Sequence, residues 1–220
     1  MQKITEIYKK YEIVPILQMH QFRVAGVAMQ ICKSLNVEVD MESVVTACLI
    51  HDMGNVVKFD LVHTKNIFGL SDEEIEDIKK NQDEFIGRYG NDEFEANTKI
   101  AQEITNSERI LGLVDRNRFG NLCIDKEGSD LEAKIIHYAD SRVAPRGITS
   151  YDERMKEAGE RYRDKYENYE GSENEKNRLR LVACGKEIEK EIFSHSKIKP
   201  EDINDASVLL IIEELKNFEI

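Results

Sequence analysis

The sequence predicts an all-α protein, and three observations lead to this prediction. Apolar residues recur every three or four positions along most of the 220-residue chain, which is the spacing of a helix with one buried face. Several segments open with Ser-x-x-Glu, the capping box in which both side chains bond free backbone N–H groups at a helix start. The alternating apolar and polar pattern of a half-buried strand is almost absent.

The predicted helices follow one another along the chain with short interruptions. Residues 24–35 form an apolar helix face, and Asp40 is expected to cap a second helix that runs to about Gly54. Later helices are expected after the capping boxes, which are Ser71/Glu74, Ser129/Glu132 and Ser150/Glu153. Further helices are predicted over about residues 91–105, 107–118, 175–193 and 205–217. Residues 122–124 fit a short extended piece, although the sequence offers it no partner.

The loop at residues 143–150, which contains Pro145 and Gly147, is the clearest candidate for a boundary. Residues 1–148 are predicted to form a helical domain, and residues 149–220 a helical extension that belongs to the same globule. Charges of both signs are mixed along this extension, as is typical of a solvated helix face. One stripe of aromatic residues is expected to face the core or an oligomer contact, namely Tyr162, Tyr166 and Tyr169.

The net charge narrows the class of partner. The chain has 43 acidic and 31 basic residues, which gives a net charge of −12. Affinity for nucleic acid comes mainly from Lys and Arg contacts to phosphates, so the sequence argues against a polymeric nucleic acid as partner. It does not argue against a small phosphorylated substrate that a few local cations hold. A homodimer is also compatible with the composition.

The cysteines and the N-terminus favour a cytoplasmic protein without membrane contact. No Cys-x-x-Cys pair occurs, and buried free thiols are favoured over disulfides for the four scattered cysteines, Cys32, Cys48, Cys123 and Cys184. The N-terminus lacks the continuous apolar core of a signal peptide. No apolar stretch approaches the roughly 20 residues that cross a bilayer.

Four polar residues interrupt apolar segments that are far apart in the chain. His20 opens the segment HQFRVAGVAMQI, His51 and Asp52 lie in CLIHDMGN, and Asp140 lies in KIIHYADSRVAP. Taken alone, His51 and Asp52 fit a helix cap or a partner for the helix dipole. Burial without partners would cost each residue several kcal/mol, on the order of 2–7. One shared metal ion would satisfy all four, and this ligand set suits divalent Mn, Fe, Co, Ni or Zn.

The combined pattern H…HD…D resembles the HD-domain metal-dependent phosphohydrolase superfamily over roughly residues 15–148. The resemblance rests on His20 in HQFRVA, on His51 and Asp52 in IHDMG, and on Asp140 in YADSRV. It implies an HD-domain helical bundle with the C-terminal helices packed on it. It also implies that these four residues bind the metal and that the protein hydrolyses a phosphoester or phosphoanhydride. Asp52 is the expected catalytic residue that orients or deprotonates the attacking water.

Some positions after Asp52 depart from common versions of the pattern. Many members have Lys, His or Glu where this chain has Asn55, which is predicted here to contact substrate. Lys58, one helical turn further on, is predicted to supply the missing cation for substrate binding and catalysis. Members with two or more metals use additional histidines, and His63 is the only one in the expected stretch. One metal ion is therefore favoured, with His63 as an alternative extra ligand.

The substrate phosphate needs cations, and three arginines are candidates. Arg23 follows His20 by three residues, so the two project to the same side of a helix. Arg23 is predicted to bind substrate and assist catalysis, and a surface ion pair is the alternative. Arg142 and Arg146 follow Asp140, and a guanidinium can hold phosphate in a bidentate manner. His137 is expected to be a core histidine or a donor that orients Asp140.

The leading hypothesis is hydrolysis of a small phosphorylated substrate, with a nucleotide as one candidate, by a metal-activated water. The alternative is an HD-type module that binds a metal or nucleotide as a sensor without turnover. A third hypothesis, a di-iron oxygenase on the same fold, requires more histidine ligands than the sequence shows.

Overall fold

The computed structural model describes residues 1–165 and 169–220, apart from the side chains at positions 162, 164 and 165. It is 72% helical, so the all-α prediction is confirmed. The helices among the described residues are α1 (Ile4–Lys10), α2 (Pro15–Ser34), α3 (Met41–Ile50), α4 (Leu61–Phe68), α5 (Asp72–Tyr89), α6 (Glu93–Ile104), α7 (Glu108–Arg116), α8 (Leu122–Glu127), α9 (Leu131–Asp140), α10 (Tyr151–Lys165), α11 (Glu173–Ser194) and α12 (Asp205–Leu215). A small antiparallel hairpin joins β1 (Val143–Ala144) to β2 (Gly147–Ile148).

The hydrophobic core is built around α2, which packs against α3, α9 and α12. The helix α3 is apolar on nearly every side, and its residues from Ser43 to Ile50 are all buried, as expected for a helix enclosed by others. α12 approaches α2 closely at Gly26, where an added Cβ would lie 3.3 Å from the Cβ of Val208. The two other helices that carry or precede the polar residues of interest, α3 and α9, are therefore in direct contact with α2.

Most of the expected helix starts are found. Asp40 caps α3 by accepting a hydrogen bond from the backbone N–H of Ser43 at 3.0 Å. Reciprocal capping boxes also form, at Ser71/Glu74 and Ser150/Glu153. The predicted box at Ser129/Glu132 is wrong, because Asp130 caps α9 and Glu132 instead accepts from the backbone of Asp40.

Residues 122–124 form the start of α8, so the predicted extended piece is wrong. Leu122 is buried, and α8 packs against α9 and α11. The contact with α11 comes from a segment about fifty residues later, and the local apolar pattern of LCI gives no sign of it. This packing favours a short helix at the position.

The prediction of free thiols holds for two cysteines and fails for the other two. Cys32 and Cys48 are buried and free. Cys123 on α8 and Cys184 on α11 form a disulfide across 61 residues of sequence, with their Cα atoms 5.1 Å apart. The pairing follows from the packing of these two helices, which the spacing of the cysteines does not reveal.

The C-terminal extension is joined to the rest of the chain at several points. The backbones of Gln2 and Ile220 exchange two hydrogen bonds, at 2.9 and 3.0 Å, which ties the two termini together.

Of the predicted tyrosine stripe, Tyr169 is buried, whereas Tyr166 and the side chain of Tyr162 lie outside the described residues. None of the described helices is both long and apolar enough to cross a membrane.

Candidate metal centre

Three helices in mutual contact bring the four predicted ligands together. His20 lies in the first half of α2, and Asp140 is the last residue of α9. His51 is the C-cap of α3, and Asp52 follows it directly. Because α2 packs against α3 and α9, and α3 also packs against α9, the ends of two helices meet the side of the third.

The side chains of this cluster approach one another closely. The Nε2 atom of His20 lies 3.4 Å from Oδ2 of Asp52 and 3.2 Å from Oδ1 of Asp140. The Nε2 atom of His51 lies 3.6 and 3.7 Å from the same two oxygens. One ligand atom each from His20, His51 and Asp52 can be chosen so that all lie within 4.8 Å of one another. A single cation could therefore contact the set.

The hydrogen bonding of His51 prepares it to bind a metal. Its Nδ1 atom lies 2.8 Å from the carbonyl oxygen of Cys48, which can only accept, so Nδ1 carries the hydrogen. In the neutral ring that a metal would bind, the lone pair is on Nε2, which is buried and has no hydrogen-bond partner. A buried nitrogen without a partner is costly, and a histidine that donates to a backbone carbonyl through its other nitrogen is typical of a metal ligand. The residues present therefore fit a divalent cation.

The charges of the cluster stabilise one another in the absence of a metal. Burial alone would lower the pKa of His20, but hydrogen bonds to Asp140 and Asp52, together with their charges, raise that pKa to about 9. Burial would raise the pKa of Asp140, but a hydrogen bond with His20 and the positive charges of His20 and His51 hold that pKa well below its usual range. The side chain of His51 is 1% exposed and that of Asp140 is 35% exposed, so the cluster opens towards solvent on the Asp140 side.

A comparison with known families decides the class of this fold. The model of the HD domain family matches residues 18–144, which is more than half of the chain. The chain belongs to the HD domain family. Members of the HD domain family are generally metal-dependent hydrolases, and all four candidate ligands lie within the matched segment. No curated protein and no solved structure matches the chain.

Two of the predicted substrate residues of this HD domain border one groove. The Nε atom of Arg23 lies 3.2 Å from Oδ1 of Asp205, the first residue of α12. Arg146, in the hairpin turn, donates two hydrogen bonds to the carbonyl oxygen of Ile67, at 3.2 and 3.1 Å. Both arginines line a groove that runs beside α2. Arg23 therefore forms the ion pair that the sequence offered as its alternative role, while it also lines this groove.

Asn55 and Lys58 are engaged elsewhere in this HD domain. α3 ends at Ile50, so the helix that would have carried Lys58 one turn further does not persist. Lys58 is exposed and pairs with Glu93 at 3.3 Å. Asn55 is buried, and its Oδ1 accepts a hydrogen bond from the side chain of Asn97 at 3.2 Å. The structure thus gives both residues partners on α6.

The predicted substrate contact of Arg142 must be corrected to a structural role. Its guanidinium is buried and donates to the Tyr138 hydroxyl at 2.6 Å and to the Ile203 carbonyl at 2.9 Å. Further bonds reach the carbonyls of Pro200 and Thr149. These bonds tie α9 to the segment before α12, and they leave the guanidinium no access to a ligand.

The remaining histidines lie outside the cluster. His137 contacts Asp125 through Nδ1 at 2.5 Å and the carbonyl of Arg118 through Nε2 at 3.0 Å, so it is a core residue that does not orient Asp140. His63 is exposed on α4. Among the described residues, no second group of three or more such side chains could hold a metal ion.

The sequence interpretation missed one arginine near the cluster. Arg154 on α10 is largely buried and donates to the carbonyl of Val143 at 3.0 Å and to Glu157 at 2.8 Å. Burial and the charge of Arg161 lower the pKa of Arg154, whereas Glu157 and Asp140 oppose that shift. The interaction with Asp140 places a cation of the C-terminal extension in the electrostatic field of the centre. No local motif signals it, because Arg154 lies in a run of mixed charges.

Metal binding is expected to release at least about one proton per chain at pH 7. Because the pKa of His20 is about 9, its imidazole carries a proton at pH 7 that a metal must displace. The apparent affinity for Mn²⁺ should therefore rise about tenfold for each pH unit between 6.5 and 8.5. Calorimetry in two buffers of different ionisation enthalpy measures the released protons. An affinity that does not change over this pH range would contradict the expectation.

Proposed function

We propose that this HD-domain protein is a metal-dependent phosphohydrolase that acts on a small phosphorylated substrate. The observation that carries the proposal is the buried Nε2 atom of His51, which has no partner and lies within 3.7 Å of two carboxylates. His20, His51, Asp52 and Asp140 would together hold one divalent ion of Mn, Fe, Co, Ni or Zn. Two imidazoles and two carboxylates leave coordination positions for water or substrate oxygens.

The side chains of the centre have distinct roles in this proposal. A divalent ion held there supplies hydroxide near neutral pH, since metal binding can lower the pKa of water from about 15.7 to about 7. Asp52 is the group that accepts a proton from the attacking water. Before a metal binds, burial would raise the pKa of Asp52, but the charge of protonated His51 and the hydrogen bond from His20 lower it, so the carboxylate is already ionised at neutral pH. The carbonyl of Cys48 fixes the tautomer of His51.

A small substrate is favoured by the way the chain distributes its cations. Lys58 is paired with Glu93, and Arg142 is buried among carbonyl groups, so neither forms an open basic surface. The helix α5 adds an acidic surface that would repel a polymeric nucleic acid. The cations beside the groove, Arg23 and Arg146, are enough for one small anionic group.

Hydrolysis by the metal-loaded full chain, followed by chromatography of the products, tests the proposal. We expect Mn²⁺, Co²⁺ or another divalent transition metal to support hydrolysis of at least one compound in a panel of phosphomonoesters, phosphodiesters and nucleoside triphosphates. A chelator should abolish product formation, and restored metal should recover it. If metal-loaded protein with one bound ion per chain forms a hydrolysis product from none of these compounds, the proposed activity is wrong.

A sensor without turnover is the second candidate function, and a specific observation favours it. Asn55 is held by Asn97 rather than facing the cluster, and Lys58 lies against Glu93, so both predicted auxiliary groups are engaged with α6. A module that binds a ligand without turnover needs no catalytic cation of the kind predicted at Lys58. Tight binding of a nucleotide in calorimetry, with no product formed by the metal-loaded protein, would support this function over hydrolysis.

A further inference from the structure

A groove of about 530 Å³ runs beside α2, between the turn that joins α4 to α5 and the hairpin turn after α9. Its walls combine apolar side chains with two guanidinium groups, and they include Ile16, Met19, Arg23, Phe68 and Arg146. Met19 and Phe68 are 41% and 36% exposed, so the apolar part of the wall is accessible to a ligand. The groove is thus partly apolar, partly cationic and open to solvent.

The groove lies along the same face of α2 as the metal ligand His20. Ile16 precedes His20 by four residues and Arg23 follows it by three, and residues at these spacings share one face of a helix. On the opposite wall, Arg146 follows Asp140 by six residues. Of the two carboxylates that lie near His51, that of Asp140 is the more exposed. The groove and the ligand His20 therefore share one face of α2, and the opposite wall of the groove follows the ligand Asp140 in the chain.

The two arginines of the groove differ in how their charge is offset. Arg23 pairs with Asp205 at 3.2 Å, which offsets its charge. Arg146 bonds only to the neutral carbonyl of Ile67, and no carboxylate partner is found for it within the described part of the chain. The groove therefore retains about one uncompensated positive charge. Such a site suits a single phosphate group better than the three or four negative charges of a nucleoside triphosphate.

We propose that this groove binds a phosphate monoester with a planar ring system, such as a nucleoside 5′-monophosphate, and that Phe68 and Arg146 determine this specificity. The inference rests on the proposed phosphohydrolase function. Phe68, Met19 and Ile16 pack against the ring, and a thioether and an aromatic ring are both well suited to such a contact. Arg146 pairs with the phosphate. Hydrolysis breaks the ester P–O bond, joins the oxygen of water to phosphorus and returns a proton to the departing alcohol.

The test compares three probes on the full chain loaded with Mn²⁺: adenosine 5′-monophosphate, glycerol 3-phosphate and adenosine 5′-triphosphate. We expect kcat/KM for the nucleoside monophosphate to exceed the values for the other two at least about tenfold. Phe68→Ala should lower kcat/KM about tenfold for the nucleoside monophosphate and leave glycerol 3-phosphate unchanged. Arg146→Gln should raise KM about tenfold for both monoesters, since a charge-assisted bond to phosphate is lost.

Matched variants outside the groove serve as controls for these effects. Phe119→Ala removes another exposed phenylalanine, and Arg180→Gln removes another exposed guanidinium, and neither residue lines the groove. Both variants are expected to leave kcat/KM unchanged for all three probes. The Mn²⁺ content of every variant, measured per chain, separates an effect on the groove from a loss of metal.

The outcomes separate the groove from the proposed function. Equal kcat/KM for all three probes, or an equal loss for both monoesters in Phe68→Ala, overturns the groove assignment while hydrolysis stands. If the metal-loaded protein hydrolyses none of these three probes, the wider panel decides the proposed function, and calorimetric binding of adenosine 5′-monophosphate decides the groove. Binding that weakens in Phe68→Ala and Arg146→Gln then supports the assignment. Absent binding, or binding equal to that of the controls, overturns it.

Discussion

Replacing His51 by glutamine is expected to lower metal-dependent phosphate release at least about a thousandfold, because hydroxide is no longer generated near neutral pH. Glutamine is similar in size to histidine, so the packing at the end of α3 is largely retained. The variant loses the imidazole Nε2 atom, whose lone pair is available to a metal because Nδ1 donates to the carbonyl of Cys48. The Mn²⁺ bound per chain, measured after gel filtration, should fall together with the activity.

Substitution of a histidine outside the cluster separates the loss of a metal ligand from the loss of any imidazole. His63→Ala changes an exposed histidine of α4 that does not belong to the cluster, and it should leave metal content and activity unchanged. The unfolding midpoint of the metal-free His51→Gln chain serves as a check on folding. If folded His51→Gln retained one bound metal ion and full activity, His51 would not be a ligand.

The ligand cluster was accessible to sequence reasoning because each member leaves a local trace. His20, His51, Asp52 and Asp140 each interrupt an apolar helical segment, where an unpaired polar group would be costly. The helix patterns also predicted that these segments are buried. Four polar groups in buried segments predict a common partner. The packing of α2, α3 and α9 brings the four side chains together as this prediction requires.

The surroundings of the cluster depend on contacts that no local pattern contains. Arg142 was assigned to substrate because it follows Asp140, yet its partners include carbonyls near the start of α12, about sixty residues later. Lys58 was placed one helical turn beyond the ligands, but α3 ends before it and Glu93 pairs with it. The Cys123–Cys184 disulfide was not predicted because it, too, depends on a contact between distant segments. Pairing between distant helices decides each of these cases.

Asp205 illustrates how the C-terminal extension contributes to the site without a sequence signal. One of its carboxylate oxygens lies 3.2 Å from Arg23, and the other accepts the backbone N–H of Ile148 at 3.0 Å. The residue therefore joins the α2 face that carries His20 to the hairpin that carries Arg146. An acidic residue at the start of a helix has an ordinary role near the helix dipole, so no sequence pattern distinguishes Asp205 as a site residue.

Replacing Gly54 by alanine is expected to lower the free energy of unfolding by about 3 kcal/mol, the upper range for overpacking a core. A Cβ at this position would lie 2.7 Å from the Cβ of Ala96 and 2.8 Å from the backbone nitrogen of Asn97. The backbone of α6 cannot move aside without repacking. The backbone N–H of Gly54 also donates to Oδ1 of Asn97 at 2.6 Å, and displacement would break this buried bond.

The same substitution should weaken metal binding, because Gly54 lies two residues after Asp52. Asn97 accepts from Gly54 and donates to Asn55, so it fixes the turn that leads away from the ligand. Loss of such outer contacts typically costs about 10- to 100-fold in metal affinity. Urea unfolding of the metal-free chain and Mn²⁺ calorimetry at a temperature where the variant is folded measure the two effects separately.

Gly87 provides the matched control, because an added Cβ there meets no atom within 4 Å. It lies within α5, where alanine is the better helix former, so Gly87→Ala should raise the free energy of unfolding by about 0.5–1 kcal/mol. The same chemical change is thus expected to have opposite signs at two glycines. A Gly54→Ala chain as stable as Gly87→Ala would show that α6 leaves room for a Cβ in the turn after Asp52. The ligand geometry would then depend on α2, α3 and α9 alone.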